Sequence, residues 1–273
     1  MPLADRFDGF LVDLDGVVWI GDETVPGSVE ALRELLAAGK RIVFVTNNPG
    51  RPPAAYGERL RRLGVEVGDE QVVTAGTVVA RLAGEAAGAG GGAFVIGRSA
   101  LKEMVAATGA RLLEGADAER ADVVVVSGHP GFDYGELKTA KFALDRGARL
   151  FATSHDPTMP FPGGELPGTG AVLAAVEVAS GKEATIAGKP APHLFEMAME
   201  AIREPSGREH RRGEPREERL AIVGDRIGSD IEGGRAAGLE TILVLSGTTS
   251  RQGAEAADPA PDFLLEDLAG LLR

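Results

Sequence analysis

The stretch Phe10-Leu11-Val12-Asp13-Leu14-Asp15-Gly16-Val17-Val18-Trp19 (FLVDLDGVVW) decides how the chain reads. Its opening run is apolar on both faces, as in a strand of a covered parallel sheet. The run stops at two aspartates one residue apart, and Gly16 then permits a tight backbone turn. In open α/β sheets, ligands bind beyond the carboxyl ends of the strands. Two carboxylates there are costly neighbours unless a cation lies between them. A plain strand-end turn also favours Asp and Gly, so the segment alone leaves both readings open.

Similar runs recur along the chain. With Phe10–Leu14, the predicted strands are Arg41–Val45, Ala93–Ile96, Asp122–Val126, Arg149–Ala152, Ala184–Ile186, Leu220–Val223 and Thr241–Leu245. Amphipathic segments lie between them at Val29–Leu36, Ala54–Leu63, Tyr134–Leu144 and Leu194–Ile202. Gly39 and Gly64 mark the ends of the first two. Strand–helix alternation predicts an α/β fold with right-handed crossovers. Gly84–Gly92 reads as a mobile connection, and Asp156–Gly170 as a long loop with four prolines. Glu204–Glu218 reads as a charged, solvated insertion. Glutamates flank its basic cluster Arg208–Arg212, which argues against an anion site.

Composition narrows the chemistry. The 273 residues include no cysteine, which excludes disulfides, thiolate metal sites and a cysteine nucleophile. The net charge of −12 argues against nonspecific nucleic-acid binding, because there is no basic excess to displace phosphate counterions. No stretch approaches the ~20 apolar residues of a membrane helix. Residues 1–16 lack a basic region followed by an apolar run, so no signal peptide is expected and the expected location is cytoplasmic.

Three further segments place polar chemistry beside apolar runs. In IVFVTNNPG a strand runs into Thr46-Asn47-Asn48, whose hydroxyl and amide groups can hold phosphate oxygens. In ATIAGKPAPHLF, Lys189 follows a strand and precedes a helix N-terminus. A cation there opposes the helix dipole but suits a phosphate. In LAIVGDRIGSD a strand ends at Gly224-Asp225, and Asp230 opens the next helix. Each has a bland reading as a polar turn, an exposed lysine or a helix N-terminal acid. Together they give DxD, TN, K and GDxxxxD at the ends of separate strands. Hard oxygen ligands without sulfur favour Mg²⁺.

Other patterns fail on context. GAGGGA (88–93) precedes a strand where a dinucleotide fingerprint would follow one, and no GxxxxGK[ST] is present. His129, His155, His193 and His210 show no metal-ligand spacing, and Ser127-Gly128 lacks a nucleophile elbow.

The ordered set DLDGVVW, VTNN, GKP and GDRIGSD resembles the four motifs of the haloacid dehalogenase (HAD) superfamily, across essentially the whole chain. The long insert between the second and third motifs is most similar to the NagD-like, 4-nitrophenylphosphatase-type subfamily (subclass IIA). The resemblance implies a Rossmann-like, doubly wound parallel-sheet core formed by residues 1–76 and 188–273, with an α/β cap inserted at 77–187. It also implies a Mg²⁺-dependent phosphatase for small phosphomonoesters. Asp13 would be the nucleophile that carries an aspartyl-phosphate, and Asp15 the general acid and base. Asp13, the Asp15 backbone carbonyl and Asp225 would hold the metal, with Asp230 in its outer sphere. Thr46, Asn47 and Asn48 would bind phosphate, and Lys189 would neutralise the nucleophile–phosphate pair. In the segment ATSHDPTMPFPGG, Ser154-His155-Asp156 stands where the family usually has Asn-Pro-Asp. Only Asp156 matches, and it is expected to help set specificity. Val17–Val25 is expected to form a hairpin flap, in which Trp19 either packs into the core or covers the entrance. The implied partner is a small phosphorylated metabolite, with a homodimer through the cap as a further possibility. A phospho-acceptor regulatory or binding module without turnover is the competing class. The chain length, the insert and the second aspartate argue against it.

Overall fold

A computed structural model describes residues 1–161, 164–203 and 218–273. The stretch that opens the sequence reading forms the strand Gly9–Asp13, buried along its whole length. It lies at the centre of a six-stranded sheet. The order across that sheet is Phe263–Leu265, Glu240–Val244, Leu220–Gly224, Gly9–Asp13, Arg41–Thr46 and Val72–Thr74. The first strand pairs in parallel with both neighbours, Val12 facing Val223 on one side and Phe44 on the other. Counted along the chain, this is the order 3-2-1-4-5-6 of a doubly wound sheet. The strand order reverses between Gly9–Asp13 and Leu220–Gly224, and in doubly wound sheets ligands bind beyond the carboxyl ends of the strands at such a reversal.

Packing around these strands follows from their apolar faces. Phe10, Val12, Leu14 and Phe44 share one core with Leu32 and Leu35 of the helix Ser28–Ala37 and Leu60 of the helix Pro53–Arg62. Helix Pro192–Arg203 buries Leu194, Phe195, Ala198 and Ile202, one apolar stripe at helical spacing.

The chain divides into two compact units, one of Met1–Thr46, Pro53–Val73 and Lys189–Arg273, the other of Asn47–Pro52 and Thr74–Gly188. The division departs from the sequence boundaries at Asn47–Pro52, Thr74–Gly76 and Gly188, which group with the second unit. That unit has its own five-stranded sheet, ordered Thr185–Ile186, Arg149–Ala152, Val123–Val126, Gly92–Ile96 and Arg111–Leu112, with every pairing parallel. Its helices are Ala75–Ala87, Ser99–Ala107, Tyr134–Asp145 and Thr169–Ser180.

Two expectations are corrected here. Gly84 is not part of a mobile connection, because the helix Ala75–Ala87 runs through it. The side chain of Thr108 fills the space above it, where a Cβ would come within 2.3 Å of Thr108 Oγ1. Asp156–Gly170 is not simply a loop. Thr158–Phe161 and Gly164–Pro167 pair as an antiparallel ribbon, and a helix starts at Thr169. A two-stranded ribbon has only edge strands, where a proline without an N–H can stand. The charged insertion at 204–217 lies outside the described residues. Among those described, no helix is long and apolar enough to cross a membrane.

Candidate active site

The strand Gly9–Asp13 ends on a buried carboxylate. Asp13 Oδ1 accepts hydrogen bonds from the Leu14 backbone N–H at 2.8 Å and from Lys189 Nζ at 2.9 Å. Asp225 follows the neighbouring strand Leu220–Gly224 directly, so the two aspartates flank the point where the strand order reverses. Asp225 Oδ2 accepts from the Thr248 backbone N–H at 2.6 Å. Asp230, fully buried in the short π-helix Ile227–Glu232, takes Lys189 Nζ at 2.6 Å on Oδ1. Its Oδ2 accepts from Arg226 N at 3.1 Å and from Ser229 Oγ at 3.3 Å. One oxygen from each of Asp13, Asp225 and Asp230 falls within 4.8 Å of the other two.

Bare backbone lets these groups converge. Gly16 has φ +86°, and a Cβ there would come within 2.4 Å of Asp225 Oδ2. A Cβ on Gly247 would stand 2.1 Å from the same oxygen. Both walls around Asp225 are therefore glycine, and the Gly16 backbone suits no other residue well.

Three buried carboxylates face one ammonium. Burial raises the Asp13 carboxyl well above its usual range. The charges of Asp230 and Asp225 add to that, and Lys189 offsets only part of it. Burial and Asp230 likewise raise Asp225, against the Thr248 hydrogen bond. Burial would lower the Lys189 ammonium, but Asp13 and Asp230 outweigh it and hold the lysine charged. The cluster is short of positive charge. Asp225 Oδ1 is also buried and has no hydrogen-bond partner among the described residues. An orphan carboxylate oxygen beside two like charges fits a hard divalent cation.

Asp15 stands apart from this cluster and is exposed. Its Oδ1 accepts from the Trp19 indole N–H at 3.1 Å, and its Oδ2 lies 3.4 Å from the Thr46 hydroxyl. Trp19 begins the hairpin Trp19–Ile20 and Glu23–Thr24, where a flap was expected. The ring is 1% exposed, so Trp19 is a core residue rather than a cover over the entrance.

The remaining candidates divide between the units. Thr46 is buried and closes its strand in the first. Asn47, Asn48 and Asp156 belong to the second. There Asn47 Nδ2 lies 3.5 Å from Asp156 Oδ2, and Asn48 Oδ1 accepts from Gly50 N at 3.0 Å, closing a turn. His129 Nε2 pairs with Glu136 Oε2 at 2.9 Å in the same unit. Lys189 is not at a strand tip of the core sheet. The strand before it, Thr185–Ile186, pairs with Arg149–Ala152 in the second unit, and the lysine sits in the link that leads to the helix Pro192–Arg203. Sequence reasoning missed Thr248, Gly247 and the Trp19 indole. The run Leu245-Ser246-Gly247-Thr248 behind an apolar strand was the available signal for the first two.

Comparison with known proteins identifies the family. Residues 10–111 match the family model described as haloacid dehalogenase-like hydrolase, and residues 186–271 one described as HAD-hydrolase-like. The chain is 35% identical over 271 residues to D-glycerol 3-phosphate phosphatase of Mycobacterium tuberculosis, covering 98% of this chain and 72% of the relative. It is 35% identical to human chronophin, covering 97% and 92%. A crystal structure of glycerol phosphate phosphatase from Mycobacterium tuberculosis in complex with magnesium superposes with a TM-score of 0.86 at 34% identity, covering 100% and 78%. NagD from E. coli superposes at 0.82 with 28% identity, covering 96% and 97%. A doubly wound sheet with paired aspartates at its reversal point, matched at this identity along nearly its full length, places the chain among the haloacid dehalogenase-like hydrolases, in their NagD-like phosphatase branch.

Proposed function

We propose that the chain is a Mg²⁺-dependent phosphatase that hydrolyses small phosphomonoesters through an aspartyl-phosphate on Asp13. The observation that carries this reading is the orphan Asp225 Oδ1 beside Asp13, with Lys189 bonded to the nucleophile.

Asp13, the Asp15 backbone carbonyl and Asp225 would hold the cation, and Asp230 would keep Lys189 and the metal's water in place. A bound Mg²⁺ supplies the positive charge that lets a carboxylate approach a phosphate dianion. The chain's own residues do the rest. Lys189 holds Asp13 Oδ1 at 2.9 Å and puts an ammonium where charge develops on the transferring group. Asp13 attacks phosphorus, and Asp15 gives a proton to the leaving oxygen. Water then attacks phosphorus, the bond from phosphorus to the Asp13 oxygen breaks to free the carboxylate and release inorganic phosphate, and Asp15 takes the water's proton. Thr46 and Asn47 bind phosphate oxygens, with Asn48 shaping the turn beside them.

The relatives' names favour an alkyl phosphate such as glycerol phosphate as substrate. Asp156 would contribute to that choice. Phosphate release from 4-nitrophenyl phosphate and from glycerol 3-phosphate, with and without Mg²⁺, tests the reading. Turnover of both that needs the ion and vanishes in Asp13→Asn supports it. A stable acyl-phosphate without turnover would favour a regulatory module instead.

A further inference from the structure

We propose that Trp19 is a positioning residue, whose indole N–H fixes the Asp15 carboxyl group for proton transfer. The proposal rests on the reading of Asp15 as the acid and base.

The chain folds back on itself to make the contact. Val18 N and Trp19 N both donate to Leu14 O, at 2.9 and 3.2 Å, and Gly16 N donates to Trp19 O at 2.7 Å. This closed turn returns the indole to the aspartate four residues earlier. Helix Pro53–Arg62 then locks the ring. Tyr56 lies parallel to it, 6.5 Å between centroids at 6°, and the Arg59 guanidinium carbon stands 4.0 Å from the ring centroid. Arg59 Nη2 also donates to Gly21 O at 2.8 Å, which ties the helix to the hairpin tip. A buried indole N–H needs an acceptor, and here it is the exposed Asp15 Oδ1 at 3.1 Å. An exposed aspartate otherwise samples several rotamers. A rigid ring donating to one oxygen, with the Thr46 hydroxyl near the other, selects one of them.

The chemistry provides a readout that packing alone would not move. In the first step an Asp13 oxygen bonds phosphorus, the bond from phosphorus to the leaving oxygen breaks, and that oxygen takes the Asp15 proton. An alkoxide needs the proton, whereas 4-nitrophenolate departs as a stable anion. The ratio kcat/KM reports this step without the later hydrolysis of the phosphoenzyme. A displaced Asp15 therefore penalises alkyl phosphates selectively.

Trp19 is the only tryptophan, so residue-specific replacement alters this position alone. Benzothienylalanine keeps the bicyclic ring and replaces the N–H with sulfur. With the Mg²⁺-loaded full chain, kcat/KM for glycerol 3-phosphate should fall about 10- to 100-fold, the worth of a hydrogen bond to a charged group. For 4-nitrophenyl phosphate it should fall less than about threefold. Trp19→Phe should show the same split, together with a lower thermal midpoint from lost packing. Equal losses on both substrates, or a lower midpoint with no split, overturn the proposal. Asp15→Asn supplies the reference. If it shows the split and the isostere does not, the positioning role alone is refuted. If Asp15→Asn shows no split, the reading of Asp15 as acid falls first and takes the proposal with it.

Discussion

Lys189 Nζ stands 2.6 Å from Asp230 Oδ1, nearer than the 2.9 Å that separates it from Asp13 Oδ1. The lysine is thus anchored by a carboxylate whose other oxygen is tied to the backbone at Arg226. Lys189→Ala leaves three buried carboxylates without an organic cation. Breaking a buried pair this way should cost about 3–5 kcal/mol of stability, read from urea unfolding of the metal-free protein. Because Lys189 touches the nucleophile, kcat should also fall by about 10³-fold or more. A loss confined to KM would mean that the lysine only holds substrate.

Asp13→Asn should abolish turnover yet stabilise the metal-free chain. The folded Asp13 and Asp225 carboxyl groups hold their protons more tightly than in the unfolded chain. Stability from that source is present below the unfolded value of about 4 and is lost as pH rises through the folded value. The amide has no such loss. In chelator at neutral pH its thermal midpoint should exceed wild type by a few degrees, and the gap should close toward pH 4. Scanning calorimetry across pH reads both. A variant that melts lower at neutral pH would contradict the electrostatic account of the cluster. Lys189 obeys the same sign at higher pH: its folded value is also raised, so its contribution is full up to about pH 10 and is lost only in stronger alkali.

Asp225→Asn should remove the response to metal. Ligand at 100 times its dissociation constant stabilises a native state by about 2.7 kcal/mol. Wild type should therefore gain several degrees on addition of Mg²⁺, and Asp225→Asn should gain almost nothing. An undiminished shift in the variant would place the ion elsewhere.

Gly16→Ala tests how tightly the aspartates are packed. Its Cβ would fall 2.4 Å from Asp225 Oδ2 and would sit on a backbone at φ +86°. Strain of this kind costs about 1–3 kcal/mol. Because the side chain meets a carboxylate, Mg²⁺ affinity measured by calorimetry should drop further than stability does. Ala at Gly39, where φ is +78° but nothing stands within 4 Å, is the control for backbone strain alone.

Much of the core could be read from the chain because parallel strands buried on both faces leave an uninterrupted apolar run. Gly9–Asp13, Arg41–Thr46, Leu220–Gly224 and Glu240–Val244 all lie where such runs stand, to within a residue or so. Val72–Thr74 and Ala75–Ala87 were harder to see. The capping threonine, Thr74, accepts from Thr77 N, and the glycine-rich end of the helix is sheltered by Thr108. The ribbon at Thr158–Phe161 and Gly164–Pro167 escaped because four prolines nearby mimic a loop.

The sequence by itself determined that acids, amides and one lysine would follow apolar strands in the order DxD, TN, K, GDxxxxD, because strand ends are chain-local features. Tertiary structure alone decided which of them meet. Asp13 and Asp225 became neighbours when two strands over two hundred residues apart paired at the sheet's reversal point. Lys189 joined them from a link rather than a strand tip, and Asn47 and Asp156 went to the other unit. The orphan oxygen of Asp225, and the indole that holds Asp15, are likewise products of packing. Burial and hydrogen bonding depend on neighbours that are distant in sequence, and no local pattern records them.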